Sequence, residues 1–242
     1  MLATDPISQL AIHTKVREVL EPLLSSLPKK ILDAAAGNGY LTEWLISRGA
    51  TVTPFDISRE DWRVPAVQCR YSDFNQRIDA DDDYFDISVS IETIEHLENP
   101  FQFIRELGRV TKPTGIVLIT TPNVHSIRSR IKYLFSGMPT LFEYTADDHM
   151  GQHISPVSIG QFLYAFKSAK LVLGDLYTTG PKSSVLVDTI LGALNHMMAL
   201  GIRALKSSRK ADFDHFLNVL RSEQIRELNR DVSLIVVARK RG

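Results

Sequence analysis

The sequence lacks the features that mark several protein classes. Its 242 residues include one cysteine, Cys69, so no internal disulfide can form and a disulfide-stapled secreted scaffold is excluded. There is no excess of charge of either sign: 28 Lys plus Arg stand against 28 Asp plus Glu. A protein that coats nucleic acid broadly needs a basic surplus to displace phosphate counterions, so that class is excluded too. No clean apolar run reaches the roughly 18 residues of a spanning helix. The longest apolar stretch, 185–205, is broken by Asp188, Asn195, His196 and Arg203. The first ten residues carry Asp5 and Pro6 where a secretory leader has basic and then apolar runs. These absences predict a cytoplasmic chain. Neither an internal repeat nor a low-complexity tract is present. At about 150 residues per typical domain, the length suits one large domain with a sizeable core.

What is present is an alternation of short β-branched runs with helical spacing, which predicts a mostly parallel sheet covered by helices. Seven strands are expected, at Lys30–Ala34, Thr51–Phe55, Val67–Tyr71, Phe85–Ser90, Ile116–Thr120, Leu171–Tyr177 and Val232–Ala238. Apolar residues at helical spacing predict an opening helix over Ile7–Leu27. Further helices are expected up to Ser47, over Glu92–His96 in a short turn, and over Pro100–Val110, Ile127–Phe135 and Ile159–Ala169. Ser158 with Gln161 forms a capping box in front of the last of these. The acidic run Asp79–Asp83 reads as a solvated loop. Residues 123–221 read as an irregular insertion with helical pieces rather than a second domain, so 1–242 is one unit.

Small residues gather where the first strand turns into a helix, in the run Asp33-Ala34-Ala35-Ala36-Gly37-Asn38-Gly39. Such a turn lets a ligand approach the backbone. A dinucleotide fingerprint needs a third glycine three residues after Gly39, and Thr42 stands there, which counts against NAD. Asp56 closes the second strand, 23 residues after Asp33, where a carboxylate can accept from both hydroxyls of a ribose. Asp73 follows the third strand and can accept from an adenine amino group, with Phe74 or a neighbouring apolar side chain covering the ring. Three such features, in order, at the ends of three successive strands point to an adenosine ligand without a long phosphate tail.

The segments ILDAAAGNGYLTEWLISRGATVTPFDIS and YFDISVSIETIEHLENPFQFIRELGRVTKPTGIVLITTPN resemble the class I S-adenosylmethionine-dependent methyltransferases, in particular the branch with the quinone-biosynthesis O-methyltransferases. The resemblance spans roughly residues 29–125. It implies a Rossmann-like, doubly wound α/β fold with seven strands, the last antiparallel, and S-adenosyl-L-methionine as cofactor. It further implies that Asp33, Ala35, Gly37 and Gly39 surround the methionine portion, Asp56 the ribose and Asp73 the adenine. The backbone of Ile91 would face the methionine amino group. Ala35 departs from the family, which often has glycine there, and alanine is small enough for binding to survive. The later segment GQHISPVSIGQFLYAFKSAKLVL is similar to bacterial methyltransferases associated with polysaccharide or lipid-linked glycan genes.

Glu92, Glu95 and His96 stand at i, i+3 and i+4, a spacing that puts two carboxylates and an imidazole on one face of a helical turn. Oxygen and imidazole donors suit Mg²⁺, Mn²⁺ or Fe²⁺. His153 or His149 could add a fourth ligand. The arrangement is similar to the Glu-x-x-Glu-His plus distant His of small-RNA 3′-terminal 2′-O-methyltransferases, and that likeness favours His153. A histidine satisfied by a glutamate as a structural pair is the competing reading. Without a metal, His96 or His153 would act as general base on an acceptor hydroxyl.

The acceptor is expected above the carboxyl ends of the strands, walled by residues 123–153. A glycan, glycolipid or other small hydroxylated acceptor leads, and a quinone-type phenol follows. Arg128, Arg130 and Lys132 read as a solvated face before they read as an anion site. The apolar stretch 185–205 has three readings: cover for an isoprenoid or lipid acceptor, a homodimer contact, or peripheral membrane contact. A non-catalytic cofactor-binding protein of the same fold is the alternative of a different class.

Overall fold

Strand β1 (Lys30–Ala34) alternates its side chains across a sheet: Ile31 is buried on one face and Leu32 on the other. That alternation requires helices on both sides, and the computed structural model has them. It describes residues 6–25, 29–142, 152–179 and 233–242. Seven strands, β1, β2 (Thr51–Asp56), β3 (Arg70–Tyr71), β4 (Phe85–Ser90), β5 (Thr111–Pro122), β6 (Leu171–Thr178) and β7 (Ser233–Lys240), lie in the order β3-β2-β1-β4-β5-β7-β6. Neighbours from β3 to β5 pair in parallel, while β7 runs antiparallel to both β5 and β6. The α/β doubly wound sheet with its antiparallel last strand is therefore as expected. The order reverses direction between β1 and β4, and ligands of such sheets bind in the crevice outside the strand carboxyl ends at that point.

Helices α1 (Pro6–Leu20) and α2 (Tyr40–Ser47) cover one face, burying Ile12, Val16, Leu20, Leu41 and Leu45 against Val89, Leu118 and Ile235. Helices α3 (Pro100–Val110) and α5 (Ile159–Ser168) cover the other, where Phe103, Ile104, Phe162 and Phe166 pack on Leu32, Val117 and Val236. Asn99 caps α3 by accepting from Gln102 N at 3.1 Å, and Pro100 begins it. The capping box of Ser158 and Gln161 is formed in full. Helix α4 (Ile127–Ser136) starts at Ser126, whose hydroxyl accepts from Ser129 N.

Four local expectations need correction. The opening helix tightens at Glu21–Leu24 into a 3-10 turn, since Pro22 supplies no amide. The third strand shrinks from Val67–Tyr71 to Arg70–Tyr71, because the Val67 carbonyl is taken by the indole of Trp62 at 3.1 Å. Strand β5 starts earlier than Ile116: its pairing to β4 steps from Phe85↔Thr111 to Ile87↔Ile116, and the chain between bulges around Gly115. The closing strand is Ser233–Lys240 rather than 232–238. The aspartates of the acidic run are exposed as expected, and two of them form ion pairs there, Asp82 with Arg109 Nη1 at 2.6 Å and Asp83 with Lys240 Nζ at 2.5 Å. No helix among the described residues is long and apolar enough to cross a membrane. The stretch 185–205, its dimer and membrane readings, and His149 lie outside the described residues.

Candidate cofactor site and acid-histidine cluster

Where β1 ends, the backbone must turn without side-chain interference. Ala35, Gly37 and Gly39 all adopt positive φ, at 65°, 56° and 90°. A left-handed alanine costs roughly 1–2 kcal/mol, so glycine would suit position 35 at lower cost. The amides of Ala35 and Ala36 both donate to Phe55 O, at 2.9 and 3.0 Å. Asp56 reaches back from β2: its Oδ2 accepts from Gly37 N and its Oδ1 from Ser58 N, each at 2.8 Å. The ribose candidate and the glycine turn are thus one hydrogen-bonded unit.

Asp33 is fully buried and accepts from the Thr42 hydroxyl at 2.6 Å. Burial pushes its pKa up to about 6, against the bond from Thr42 and with help from the Asp56 charge. Thr42, the residue that breaks the dinucleotide pattern, therefore holds the first acid of the turn.

The connection from β2 to β3 folds back over this turn, a feature that the sequence pattern did not disclose. Trp62 Nε1 donates to the carbonyls of Val64 and Val67, and Arg63 N donates to Asn38 O at 3.2 Å. A Cβ on Gly39 would lie 2.4 Å from Val64 Cγ2 and 3.0 Å from the Trp62 ring, so only glycine fits. The available signal was a bulky aromatic in an otherwise charged connection between strands.

At the adenine end, Asp73 accepts from Asn75 N at 2.9 Å and from Gln76 Nε2 at 3.1 Å. Phe74 is buried in the core and its ring lies 5.2 Å from that of Phe103. This placement assigns Phe74 to the core rather than to the face of an adenine ring.

After β4, the half-buried Ile91 offers a carbonyl that accepts from the Thr93 hydroxyl. Glu92 then takes φ of 47°, and only Ile94–His96 form a 3-10 turn. The expectation of one helical face carrying Glu92, Glu95 and His96 is therefore corrected. Glu92 turns to β5, where its amide donates to Thr120 Oγ1 and its carboxylate accepts from that hydroxyl, at 2.9 and 2.8 Å. Burial raises its pKa to about 7, opposed by the Thr120 and Ser233 hydroxyls.

The side chains that do converge are Glu95, His96 and His153, whose donor atoms lie within 4.8 Å of one another. The segment holding His153 is pinned to the turn, since Ile154 N and Ser155 N donate to Glu95 O and the Ser155 hydroxyl donates to Leu97 O. The two imidazoles meet edge to face at 4.7 Å, and Phe142 packs against His153 at 5.6 Å. His96 Nδ1 is paired with Gln152 O at 3.0 Å, which leaves Nε2 for the cluster. Neither carboxylate oxygen of the fully buried Glu95 makes a hydrogen bond of normal geometry, and His153 Nδ1 has none. Burial, and next the Glu92 charge, push the Glu95 pKa well above the carboxylate range; the Thr121 hydroxyl opposes this. Burial lowers His96, and burial with the His96 charge lowers His153 to about 4. Both rings are therefore neutral near pH 7. The Glu95 carboxylate and His153 Nδ1, buried and without a hydrogen bond of normal geometry, together with His96 Nε2 fit a divalent cation.

These features share the carboxyl ends of the strands. A separate cavity of about 540 Å³, towards the start of β4, is lined by Arg70, Arg77, Asp79, Asp81 and Tyr84 and includes none of the predicted site residues.

A family model described as a methyltransferase domain matches residues 9–174. A ubiquinone biosynthesis O-methyltransferase of Pseudomonas putida (strain F1) is 32% identical over 113 residues, 43% of this chain and 49% of that one. The corresponding protein of Pseudomonas syringae pv. tomato is 33% identical over 117 residues, 45% of this chain and 49% of its own length. The chain thus spans about half the length of these curated relatives. Among solved structures, an S-adenosylmethionine-dependent methyltransferase from Mesorhizobium loti has TM-score 0.52 at 17% identity, covering 91% of this chain and 97% of that one. One from Archaeoglobus fulgidus has TM-score 0.54 at 16% identity, covering 94% of each. At that identity the two structures speak for the fold alone. With the matched domain, the strand order and the glycine turn taken together, the chain belongs to the class I S-adenosylmethionine-dependent methyltransferase family.

Proposed function

We propose that this methyltransferase moves the sulfonium methyl of S-adenosyl-L-methionine onto a hydroxyl oxygen of a glycan, glycolipid or other small hydroxylated acceptor in the cytoplasm. In that reaction the acceptor oxygen attacks the methyl carbon, the carbon–sulfur bond breaks towards sulfur, and the hydroxyl proton passes to a base. The observation that carries the reading is the cluster of Glu95, His96 and His153 beside the end of β4, in which both Glu95 oxygens and His153 Nδ1 lack a hydrogen bond of normal geometry. Either neutral imidazole can take the proton. In this reading Asp56 accepts from the ribose hydroxyls, Asp73 from the adenine amino group, and Asp33 and the Ile91 carbonyl face the methionine ammonium across Ala35, Gly37 and Gly39. Residues 123–142, 152 and 153 wall the acceptor in this reading.

Glu95, His96 and His153 would hold Mg²⁺ or Mn²⁺, with Glu92 outside that set on Thr120. When bound, such an ion supplies Lewis-acid polarisation of the acceptor hydroxyl. The glycan assignment rests on the likeness of residues 151–173 to methyltransferases of glycan gene clusters. The phenol reading rests on the matched half of the ubiquinone biosynthesis O-methyltransferases.

The test is transfer of isotope-labelled methyl from the cofactor into fractionated cell extract. Label is expected in a polar glycan or glycolipid fraction; label confined to the quinone fraction assigns the phenol. Chelator is expected to abolish the transfer and Mg²⁺ or Mn²⁺ to restore it. Transfer untouched by chelator assigns the proton to the histidine pair alone.

A pH dependence of cofactor binding follows from Asp33. Its folded pKa, about 6, lies above the ordinary carboxylate value, so its ionisation costs stability, and that cost appears as pH rises from about 4 to 6 and persists above. A ligand ammonium offsets it by favouring the charged form. S-adenosylhomocysteine affinity, measured by calorimetry, is therefore expected to rise roughly tenfold between pH 5 and 7. Asp33→Asn should flatten that profile; an unchanged slope would assign the proton elsewhere.

A further inference from the structure

We propose that His125 is a positioning residue that sets the place of His153 by holding the first amide of α5. His125 lies outside the acid-histidine cluster, and its role rests on the function proposed for that cluster. His153 sits in a strap, residues 152–158, that has no regular secondary structure. The upstream end of the strap is tied to the turn after β4: Gln152 O pairs with His96 Nδ1, the amides of Ile154 and Ser155 donate to Glu95 O, and the Ser155 hydroxyl donates to Leu97 O. The downstream end runs into α5, where Ile159 N donates to His125 Nε2 at 2.8 Å. That bond spans 34 positions of sequence and joins the strap to the connection between β5 and α4.

The first amides of a helix have no partner within it. In α5 the Ser158 hydroxyl takes Gln161 N and the Ser158 carbonyl takes Phe162 N, so Ile159 N needs an acceptor from another element. Ile159 is fully buried, and the imidazole of His125 supplies that acceptor in place of water. A ring that accepts at Nε2 carries its proton at Nδ1 and is neutral. Burial, and next the charge of Arg130, lower the His125 pKa to about 4, so the ring has this form near pH 7. His125 is itself fixed, since its amide donates to Asn123 Oδ1 at 3.0 Å and Ser126 N donates to Asn123 O, closing a turn at the end of β5. The turns after β4 and β5 thus hold the strap at its two ends, with His153 between them. Loss of one hold displaces His153, and a shift of about 1 Å at a reacting group can cost a hundredfold in rate.

The test compares His125→Ala with His125→Gln, whose amide oxygen reaches as far as Nε2 and can accept in its place. The rate of labelled methyl transfer into the accepting extract fraction should fall roughly tenfold in His125→Ala and return to within about threefold in His125→Gln, with S-adenosylhomocysteine affinity within about twofold in both. In a His153→Ala background, adding His125→Ala should cost less than about twofold more, because a residue that acts through another then has nothing to act on. A residue that only supports the fold would add its full loss to that of His153→Ala, and such additivity would overturn the proposal. The readout independent of turnover is the proton–nitrogen correlation spectrum of the imidazoles, with the His96 and His153 signals assigned by substitution. The His153 signals should move in His125→Ala and return in His125→Gln. Unmoved His153 signals would overturn the proposal whether or not methyl is transferred, while moved signals in a chain that transfers no methyl would sustain it and count against the proposed reaction alone. Should His125→Ala not fold, His125→Asn, whose amide stops one bond short of Ile159 N, takes its place with the same expectations.

Discussion

Asp56→Ala is expected to weaken S-adenosylhomocysteine binding by at least a hundredfold. Each Asp56 oxygen already accepts one backbone amide, from Gly37 or from Ser58, and each retains a lone pair for a ribose hydroxyl. Two hydrogen bonds to a charged acceptor are worth about 1.5–3 kcal/mol each, so losing both costs roughly 3–6 kcal/mol of affinity. The truncation also releases the Gly37 amide, which loosens the turn that must approach the methionine portion. Asp56→Asn can still accept from Gly37 N through its carbonyl, and should lose about tenfold. Calorimetric titration checks both, with thermal melting to confirm folding. Binding by Asp56→Ala within threefold of the unaltered chain would remove Asp56 from the cofactor site.

The second large effect separates chemistry from cofactor binding. Glu95→Gln and His153→Ala should each cut labelled methyl transfer by a factor of about 10² or more, the usual worth of a positioned proton acceptor or its partner. S-adenosylhomocysteine affinity should stay within about twofold, because the cluster lies beyond the glycine turn. Stability gives an independent reading of Glu95. Its carboxyl is fully buried, without a hydrogen bond of normal geometry, and carries a strongly raised pKa. The folded state therefore resists its ionisation, and removing the titratable group should raise the melting temperature near pH 7 by a few degrees. A variant that is more stable and less active is the behaviour of a site that stores cost for function. A structural glutamate-histidine pair would do the opposite, losing stability on substitution and leaving transfer intact.

The parts of the fold that were legible in the sequence are those fixed by neighbouring residues. Strands Lys30–Ala34 and Phe85–Ser90 and helix Pro100–Val110 have the bounds that their local pattern predicts. The capping box at Ser158 and the positive φ at Gly37 and Gly39 likewise follow from nearby residue types. What the pattern concealed depends on contacts between distant segments. The third strand is cut short by an indole that claims the Val67 carbonyl. The Glu-x-x-Glu-His spacing suggests a helical face only if the backbone is helical, and Glu92 instead takes a left-handed conformation to reach Thr120 on β5. His153 joins the cluster through backbone bonds from Ile154 and Ser155 to Glu95, which no spacing rule encodes. Phe74 follows Asp73, but in the turn after β3 its side chain packs into the core against Phe103.

The most direct measurement of the central claim is calorimetric titration of the full chain with S-adenosylhomocysteine. Binding of one ligand per chain, lost in Asp56→Ala and retained in His153→Ala, is the result predicted for a cofactor seated on the glycine turn beside a separate acid-histidine cluster. No heat of binding at millimolar ligand would contradict it.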